Sequence, residues 1–445
     1  MLKQLGEGIV AKMPREVTRR KVVAGAAVVL LAGLDQTCRQ AKAKTMNSNQ
    51  FSEAGLKQLH EDLAGFVAAG DRPGLVMLVS KAGEIHVDAI GSHDFEGRTP
   101  MRRDTIFRIA SITKPITAAV TMKLIEAGKL SLHEPIDRLI PELANRRVLK
   151  QLNGPLNETV PAKRPILVSD LLTMRMGMGA IMSPDNYPIQ AALMREGVFT
   201  PFYMPTAHSA DAWIAKLAQF PLMNQPGEVW RYDTSITLLG ALIERASGKH
   251  LDEVFDELIL HPLGMKDSGF VVSKDKLDRL PIAYQKNQQT GRLEVWDPCG
   301  EASFFAKRHG FFGAHGGMVS TIDDYFAFSQ MMLNKGRHGD RQVLSANSVE
   351  LMMTDHISAD VIAHSTFIPG FWDLRGWGYG GSIMKKQVPN QPRGFGWDGG
   401  YGIVAYWDAA SRVTVLLFSQ RLVSSPDYDE IFKRFFNRAY AAAGV

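Results

Sequence analysis

Short apolar segments stand at opposite ends of this chain, and the pattern between them is helical or loop-like. Near the start, residues 75–80 (Leu-Val-Met-Leu-Val-Ser) and 85–90 are joined around Lys81-Ala-Gly83, the turn chemistry of a β-hairpin. Near the end, residues 402–407 and 413–418 read as two further strands. Helical periodicity accompanies both groups: residues 51–69 (apolar at Phe51, Leu56, Leu59, Leu63, Phe66 and Val67), 322–333 and 429–443. Strands early and late with helices between them imply one sheet built from both ends of the chain, about 44–108 and 300–445, around a helical insertion at about 109–299.

Residues 1–43 are of a different kind. Thr18-Arg-Arg-Lys-Val-Val23 carries a twin-arginine pattern, residues 22–34 are apolar, and Ala41-Lys-Ala43 offers a cleavage site. This is the layout of a bacterial Tat export signal, so the expectation is cleavage after Ala43, a periplasmic or secreted product, and no stable membrane insertion afterwards. A short N-terminal anchor is the alternative, but the run is brief for a bilayer. Asp35-Gln-Thr before Cys38 does not resemble a lipobox. This segment also accounts for the net charge of +5: it holds eight Lys/Arg and three Asp/Glu, leaving 43 of each sign in the remainder. A pI near 9.0 therefore says nothing about nucleic acid, and no basic stripe or zinc knuckle supports such a partner. Without the signal only Cys299 is left, so the mature chain has no intramolecular disulfide and depends on its core.

The chemistry centres on Phe107-Arg-Ile-Ala-Ser-Ile-Thr-Lys-Pro115. Apolar residues at three- and four-residue steps follow up to Gly128, a buried helix, and Pro115 is tolerated only in its first turn. Ser111 then stands at the helix N-terminus, with Lys114 one turn along the same face and within reach of its hydroxyl. A serine attacks only when a neighbour accepts its proton, and a lysine can do that. The bland reading is an N-cap beside a solvated lysine. Two further Ser-x-x-Lys matches, Ser273…Lys276 and Ser382…Lys385, open no apolar helix.

Two other stretches supply partners. Gln225-Pro-Gly-Glu-Val-Trp-Arg-Tyr-Asp-Thr-Ser235 puts Tyr232 before a helix expected over 238–247; beside a lysine ammonium its phenolate is favoured and can take or relay the serine proton. Phe395-Gly-Trp-Asp-Gly-Gly-Tyr-Gly402 opens a strand, and its glycines allow close backbone approach and the second N–H of an oxyanion hole. Singly, Tyr232 reads equally as a helix-entry residue and the glycines as a tight turn. The methionines at 174, 176, 178, 182, 194, 204 and 223 read as core packing or as an adaptable apolar surface. His315, in Ala-His-Gly-Gly, reads as structural.

Together with Pro262-Leu-Gly-Met-Lys-Asp-Ser-Gly-Phe270, Gly316-Gly-Met-Val-Ser-Thr321 and Asp324-Tyr325, these motifs resemble the β-lactamase-related serine hydrolases: class C β-lactamases, DD-peptidases, D-aminopeptidases, family VIII carboxylesterases and related acyltransferases. The resemblance spans about residue 51 to the end. It implies an α/β (α+β) fold, an antiparallel sheet flanked by helices plus a mostly helical subdomain, with the site in the groove between them. It implies Ser111 as nucleophile, Lys114 as proton acceptor, Tyr232 as general base and acid, and the Ser111 and Gly400 N–H groups as oxyanion hole. Trp397, Asp398 and Gly399 stand where lactam-binding relatives carry Lys-Thr-Gly.

Departures bear on substrate. Tyr232-Asp-Thr234 replaces the Tyr-x-Asn of penicillin-recognising members, making Thr234 a candidate substrate contact, and Trp397 cannot pair with a substrate carboxylate. Leu171-Leu-Thr-Met-Arg-Met-Gly177 lacks the polar groups common in that loop, although Arg175 offers one cation. The expectation is an exported serine hydrolase of small esters, free of metal and cofactor, with acyl transfer left open. A β-lactamase or D-amino-acid-specific peptidase, and a non-catalytic sensor on the same fold, are the alternatives. No Gly-x-Ser-x-Gly, His-Glu-x-x-His or P-loop supports another chemistry.

Overall fold

A seven-stranded, wholly antiparallel sheet organises the protein, drawn from both ends of the chain. The computed structural model describes residues 51–183, 185–199, 208–423 and 430–445. The twin-arginine segment and Ala43 lie outside them, as does Met204. The elements that matter are α1 (Glu53–Ala68), β1 (Gly74–Lys81), β2 (Glu84–Gly91), α2 (Thr113–Glu126), α3 (Thr234–Ser247), α4 (Ile322–Leu333), β3 (Arg375–Trp377), β4 (Ser382–Met384), β5 (Phe395–Gly399), β6 (Ile403–Asp408), β7 (Val413–Ser419) and α5 (Glu430–Ala442). The strand order is β3-β4-β5-β6-β7-β1-β2. The hairpin β1–β2 joins the last strand through a register running from Leu75↔Ser419 to Lys81↔Val413.

Strand β1 is buried on both sides. Leu75, Met77 and Val79 enter one apolar cluster, with Leu59 and Leu63 of α1 and Phe432, Phe435 and Phe436 of α5. Val76 and Leu78 enter the larger one, with Tyr325 and Phe328 of α4 and most of α2. A strand covered on both faces needs no polar alternation, hence the unbroken apolar run. Ser52 caps α1, its hydroxyl accepting from the Gly55 N–H at 3.2 Å.

The third motif departs from expectation. Residues 395–399 are themselves a strand, and residues 400–402 form the turn into β6. Glycine-rich sequence argues for a turn, but pairing with β6 from Phe395↔Trp407 to Gly399↔Ile403 overrides local propensity. The helix expected from 238 starts at Thr234. Of the methionines, Met174, Met176, Met178 and Met223 are core, whereas Met182 and Met194 are exposed. Ser273 and Ser382 lie in a loop and in β4, with Lys276 and Lys385 paired to Asp267 and Asp355. Among the described residues no helix is long and apolar enough to cross a membrane.

Candidate active site

Ser111 occupies a 3₁₀ turn (Ala110–Ile112) that runs directly into α2, and both Ser111 and Lys114 are buried. Ala110 is held at φ +44°, in the left-handed region that a side chain disfavours. Two glycines bring neighbouring backbone close. A Cβ on Gly399 would lie 2.7 Å from the Ile109 carbonyl oxygen, so β5 ends against the turn that carries Ser111. A Cβ on Gly380 would lie 2.5 Å from the Lys114 carbonyl oxygen. The 313–318 loop is tied to the same helix: Thr117 Oγ1 donates to the Ala314 carbonyl at 2.6 Å, and the Ile109 N–H to the Met318 carbonyl at 2.9 Å.

Lys114 is the hub. Its Nζ donates to Ser111 Oγ at 2.9 Å and to the His315 carbonyl at 2.6 Å, and lies 2.7 Å from Asp233 Oδ1. It also sits 4.7 Å from the centre of the Tyr232 ring. The Tyr232 hydroxyl is hydrogen-bonded to Ser111 and accepts the Trp397 indole N–H at 2.6 Å. The phenolate expected for Tyr232 is not favoured: burial, reinforced by the Asp233 charge, pushes its pKa up, and the hydrogen bonds from Ser111 and Trp397 do not offset that. Tyr232 is a protonated phenol at rest.

Asp233 was not read from sequence as part of the site. It sits at φ +86°, ψ −60°, with the Thr234 N–H donating to the Tyr232 carbonyl at 3.3 Å across it, a strained γ-turn. This turn brings its carboxylate to Lys114 and leaves Oδ2 3.7 Å from His315 Nε2. Burial opposes the charge, but His315 and Lys114 outweigh it and hold the Asp233 pKa below the ordinary carboxylate value. Burial also lowers the His315 pKa, favouring neutral imidazole, and its Nδ1 is 3.0 Å from Thr237 Oγ1. His315 is therefore more than the structural turn residue expected: its carbonyl positions Lys114 and its ring faces Asp233.

Along β5 the side chains alternate. Trp397 points to Tyr232 and packs 4.7 Å from Trp377 between ring centres. Asp398 points to the other side, accepting from the Tyr406 hydroxyl at 2.9 Å and lying 3.5 Å from Arg375. The structure thus brings Ser111, Lys114, Tyr232 and Trp397 together but turns the Asp398 side chain away. Gly399 abuts the Ser111 turn, and Gly400 follows at the strand end. Arg175 is engaged with Thr173 Oγ1 at 3.0 Å.

Beyond Tyr232 lies a cavity of about 150 Å³, lined on one side by Asp233, Thr234, Thr237 and His315. Of the residues predicted from sequence for the site, Tyr232 and Thr234 line it, and among the described residues neither Arg175 nor a methionine does. Its other walls are aromatic, including the doublets Phe304-Phe305 and Phe311-Phe312, which are visible in the sequence but carry no spacing that marks a pocket. Among the described residues no group of three or more His, Cys, Asp or Glu is placed to hold a metal ion.

The chain has relatives. The family model described as Beta-lactamase matches residues 59–436. Protein Rv1367c of Mycobacterium tuberculosis (strain ATCC 25618 / H37Rv) is 37% identical over 341 residues, covering 75% of this chain and 81% of that protein. Esterase EstB of Burkholderia gladioli is 29% identical over 365 residues, covering 78% and 85%. Among solved structures, EstCE1, titled a hydrolase with promiscuous acyltransferase activity, superposes with a TM-score of 0.71 at 22% identity, over 88% of this chain and 98% of that one. At that identity the likeness is one of fold.

Proposed function

The chain belongs to the beta-lactamase family of serine hydrolases, and on that premise we propose that it hydrolyses small carboxylic esters through an acyl-enzyme on Ser111. The observation that carries this reading is the pair of hydrogen bonds on the Ser111 hydroxyl: Lys114 Nζ on one side, at 2.9 Å, and the Tyr232 hydroxyl on the other. A buried serine with two proton-handling groups on its oxygen is arranged for attack rather than for capping.

Tyr232 is a phenol at rest, so it acts as a shuttle. Ser111 Oγ bonds to the ester carbonyl carbon as its proton passes to the Tyr232 oxygen, and the proton originally on Tyr232 passes to the departing alkoxide. The C–O bond to that alkoxide breaks, leaving the acyl group on Ser111 and the phenol restored. Water reverses the sequence: its proton goes to Tyr232, whose own proton returns to Ser111 as the acid departs. The Trp397 N–H and the nearby Lys114 ammonium, which Asp233 balances, hold the phenolic oxygen in place for this exchange. Charge on the carbonyl oxygen falls to the Ser111 and Gly400 N–H groups, at the junction that Gly399 permits.

Esters are preferred over β-lactams on grounds of charge. Trp397 supplies an N–H but no positive charge where lactam-binding relatives carry lysine, so a substrate carboxylate finds no cation there. The esterase name of the Burkholderia gladioli relative agrees with this reading. The twin-arginine sequence of residues 1–43 supports action outside the cytoplasm, after Tat export. The test is a side-by-side rate comparison of p-nitrophenyl butyrate, a chromogenic cephalosporin and a D-amino-acid amide. Ester turnover should exceed both others by at least about tenfold; a cephalosporin or amide rate equal to the ester rate would overturn the ester assignment.

A further inference from the structure

The cavity beyond Tyr232 has a shape and chemistry that specify more than "ester". Trp213, Phe270, Phe304, Phe305, Phe311 and Phe312 supply its apolar walls. Phe270 and Phe312 are stacked at 4.9 Å with 24° between their planes, and Trp213 and Phe311 lie 5.9 Å apart at 37°. Rigid aromatic rings packed against one another make walls that suit a compact aromatic guest better than a flexible alkyl chain. The volume of about 150 Å³ matches the size at which an apolar cavity accepts one benzene-sized molecule. All the non-aromatic polarity except His309 gathers on the side shared with Tyr232, where Asp233, Thr234, Thr237 and His315 stand.

Charge narrows the guest further. Among the described lining residues Asp233 is the one carboxylate, and no lysine or arginine accompanies it. Its negative charge is matched by Lys114, which sits behind it at 2.7 Å. A guest bearing its own carboxylate would therefore meet a carboxylate and aromatic rings, with no lysine or arginine among the described lining residues to pair with.

We propose that this cavity binds one uncharged, benzene-sized ring of the substrate, so that the preferred esters carry a compact monocyclic group. The proposal rests on the ester-hydrolase reading for its catalytic consequence, but not for binding. The ring lies among the phenylalanines, and the ester reaches back past Thr234 toward the Tyr232 hydroxyl and Ser111. Ala180, one of the small lining residues, is the place to test it, because a leucine there adds volume inside the wall.

The experiment has a binding arm and a rate arm. Fluorobenzene is titrated with the full chain and followed by ¹⁹F line broadening, with 4-fluorobenzoate as the charged control. The wild type should broaden fluorobenzene and leave 4-fluorobenzoate sharp; Ser111→Ala should behave as the wild type, and Ala180→Leu should lose most of the effect. Should Ala180→Leu fail to fold, Phe312→Ala serves instead, with 1-fluoronaphthalene gaining binding relative to fluorobenzene. For rates, kcat/KM for methyl phenylacetate or benzyl acetate should exceed that for methyl acetate by at least tenfold, and that ratio should collapse in Ala180→Leu. No broadening by the wild type, equal broadening by Ala180→Leu, or equal affinity for 4-fluorobenzoate overturns the proposal. Binding of fluorobenzene by a protein that turns over no ester upholds the ring pocket and overturns the hydrolase reading instead.

Discussion

The two sides of Tyr232 are built on opposite principles. On one, Ser111, Lys114, Asp233 and Trp397 form a buried polar knot in which Lys114 meets three oxygens within 2.9 Å. On the other, a cavity of about 150 Å³ is walled chiefly by aromatic rings. The knot is dense because an unpaired buried charge is expensive, so each member fixes the next. Packing shapes the aromatic walls of the cavity, which can change size without any charge losing its partner. The proposed division of labour is therefore chemistry in the knot and substrate choice in the cavity.

Substitution should separate the two regions, and the largest effects belong to the knot. Ser111→Ala should cut kcat by about 10³-fold or more for every ester, whatever its acyl group. Tyr232→Phe, which removes the shuttle but keeps the ring, should cost about 10²-fold or more, again without regard to substrate. If either variant lost activity on one ester class only, the division between chemistry and selection would break. Asp233→Asn should lower kcat by about tenfold. It should also lower stability by roughly 2–3 kcal/mol, measured by urea unfolding, because Lys114 loses its counter-charge although Asp233 is itself partly exposed.

Smaller effects sharpen the boundary. Trp397→Phe deletes the N–H that meets the Tyr232 oxygen at 2.6 Å, and a loss of about tenfold in kcat is expected. Its strand neighbour Asp398, turned toward Tyr406 and Arg375, should tolerate Asn with a change below about threefold in kcat. A larger effect from Asp398→Asn than from Trp397→Phe would show that the side chains of β5 have been given the wrong roles.

Acid brings a different response. Burial holds His93, His315 and His356 below the ordinary histidine pKa. Between those lowered values and about 6.5 the unfolded chain binds protons that the folded one does not, so stability falls as pH drops below about 6.5. Thermal unfolding should move to lower temperature from pH 7 to pH 5. Asp233, held below the ordinary carboxylate value, adds stability above about pH 3.9 that is lost only as pH falls through its lowered pKa.

The knot was more legible than the cavity, for physical reasons. Ser111 and Lys114 are one helical turn apart, and Pro115 fixes where that helix begins, so local rules place them. Tyr232 and the glycines of β5 announce themselves through motif chemistry. Asp233 escaped because its role depends on a γ-turn at φ +86°, a conformation no propensity favours, and Asp398 enters the site only through its place in the stretch that resembles Lys-Thr-Gly, while strand alternation turns its side chain away. The cavity was illegible because its rings come from loops and from helix Ala210–Ala218, with no periodicity linking them. The sheet shows the same division. Strands β1, β6 and β7 are largely apolar runs of six to eight residues and β2 alternates apolar with polar residues, whereas β3 and β4 have three residues each, too short for any pattern.

The central claim is that Ser111 becomes acylated, and mass can be weighed directly. Rapid acid quench of the enzyme turning over p-nitrophenyl butyrate, followed by peptide mapping, should find a butyryl group on the peptide containing Ser111, formed with a stoichiometric burst of p-nitrophenol and absent from Ser111→Ala. A butyryl group on another residue, or undiminished turnover by Ser111→Ala, would contradict the account.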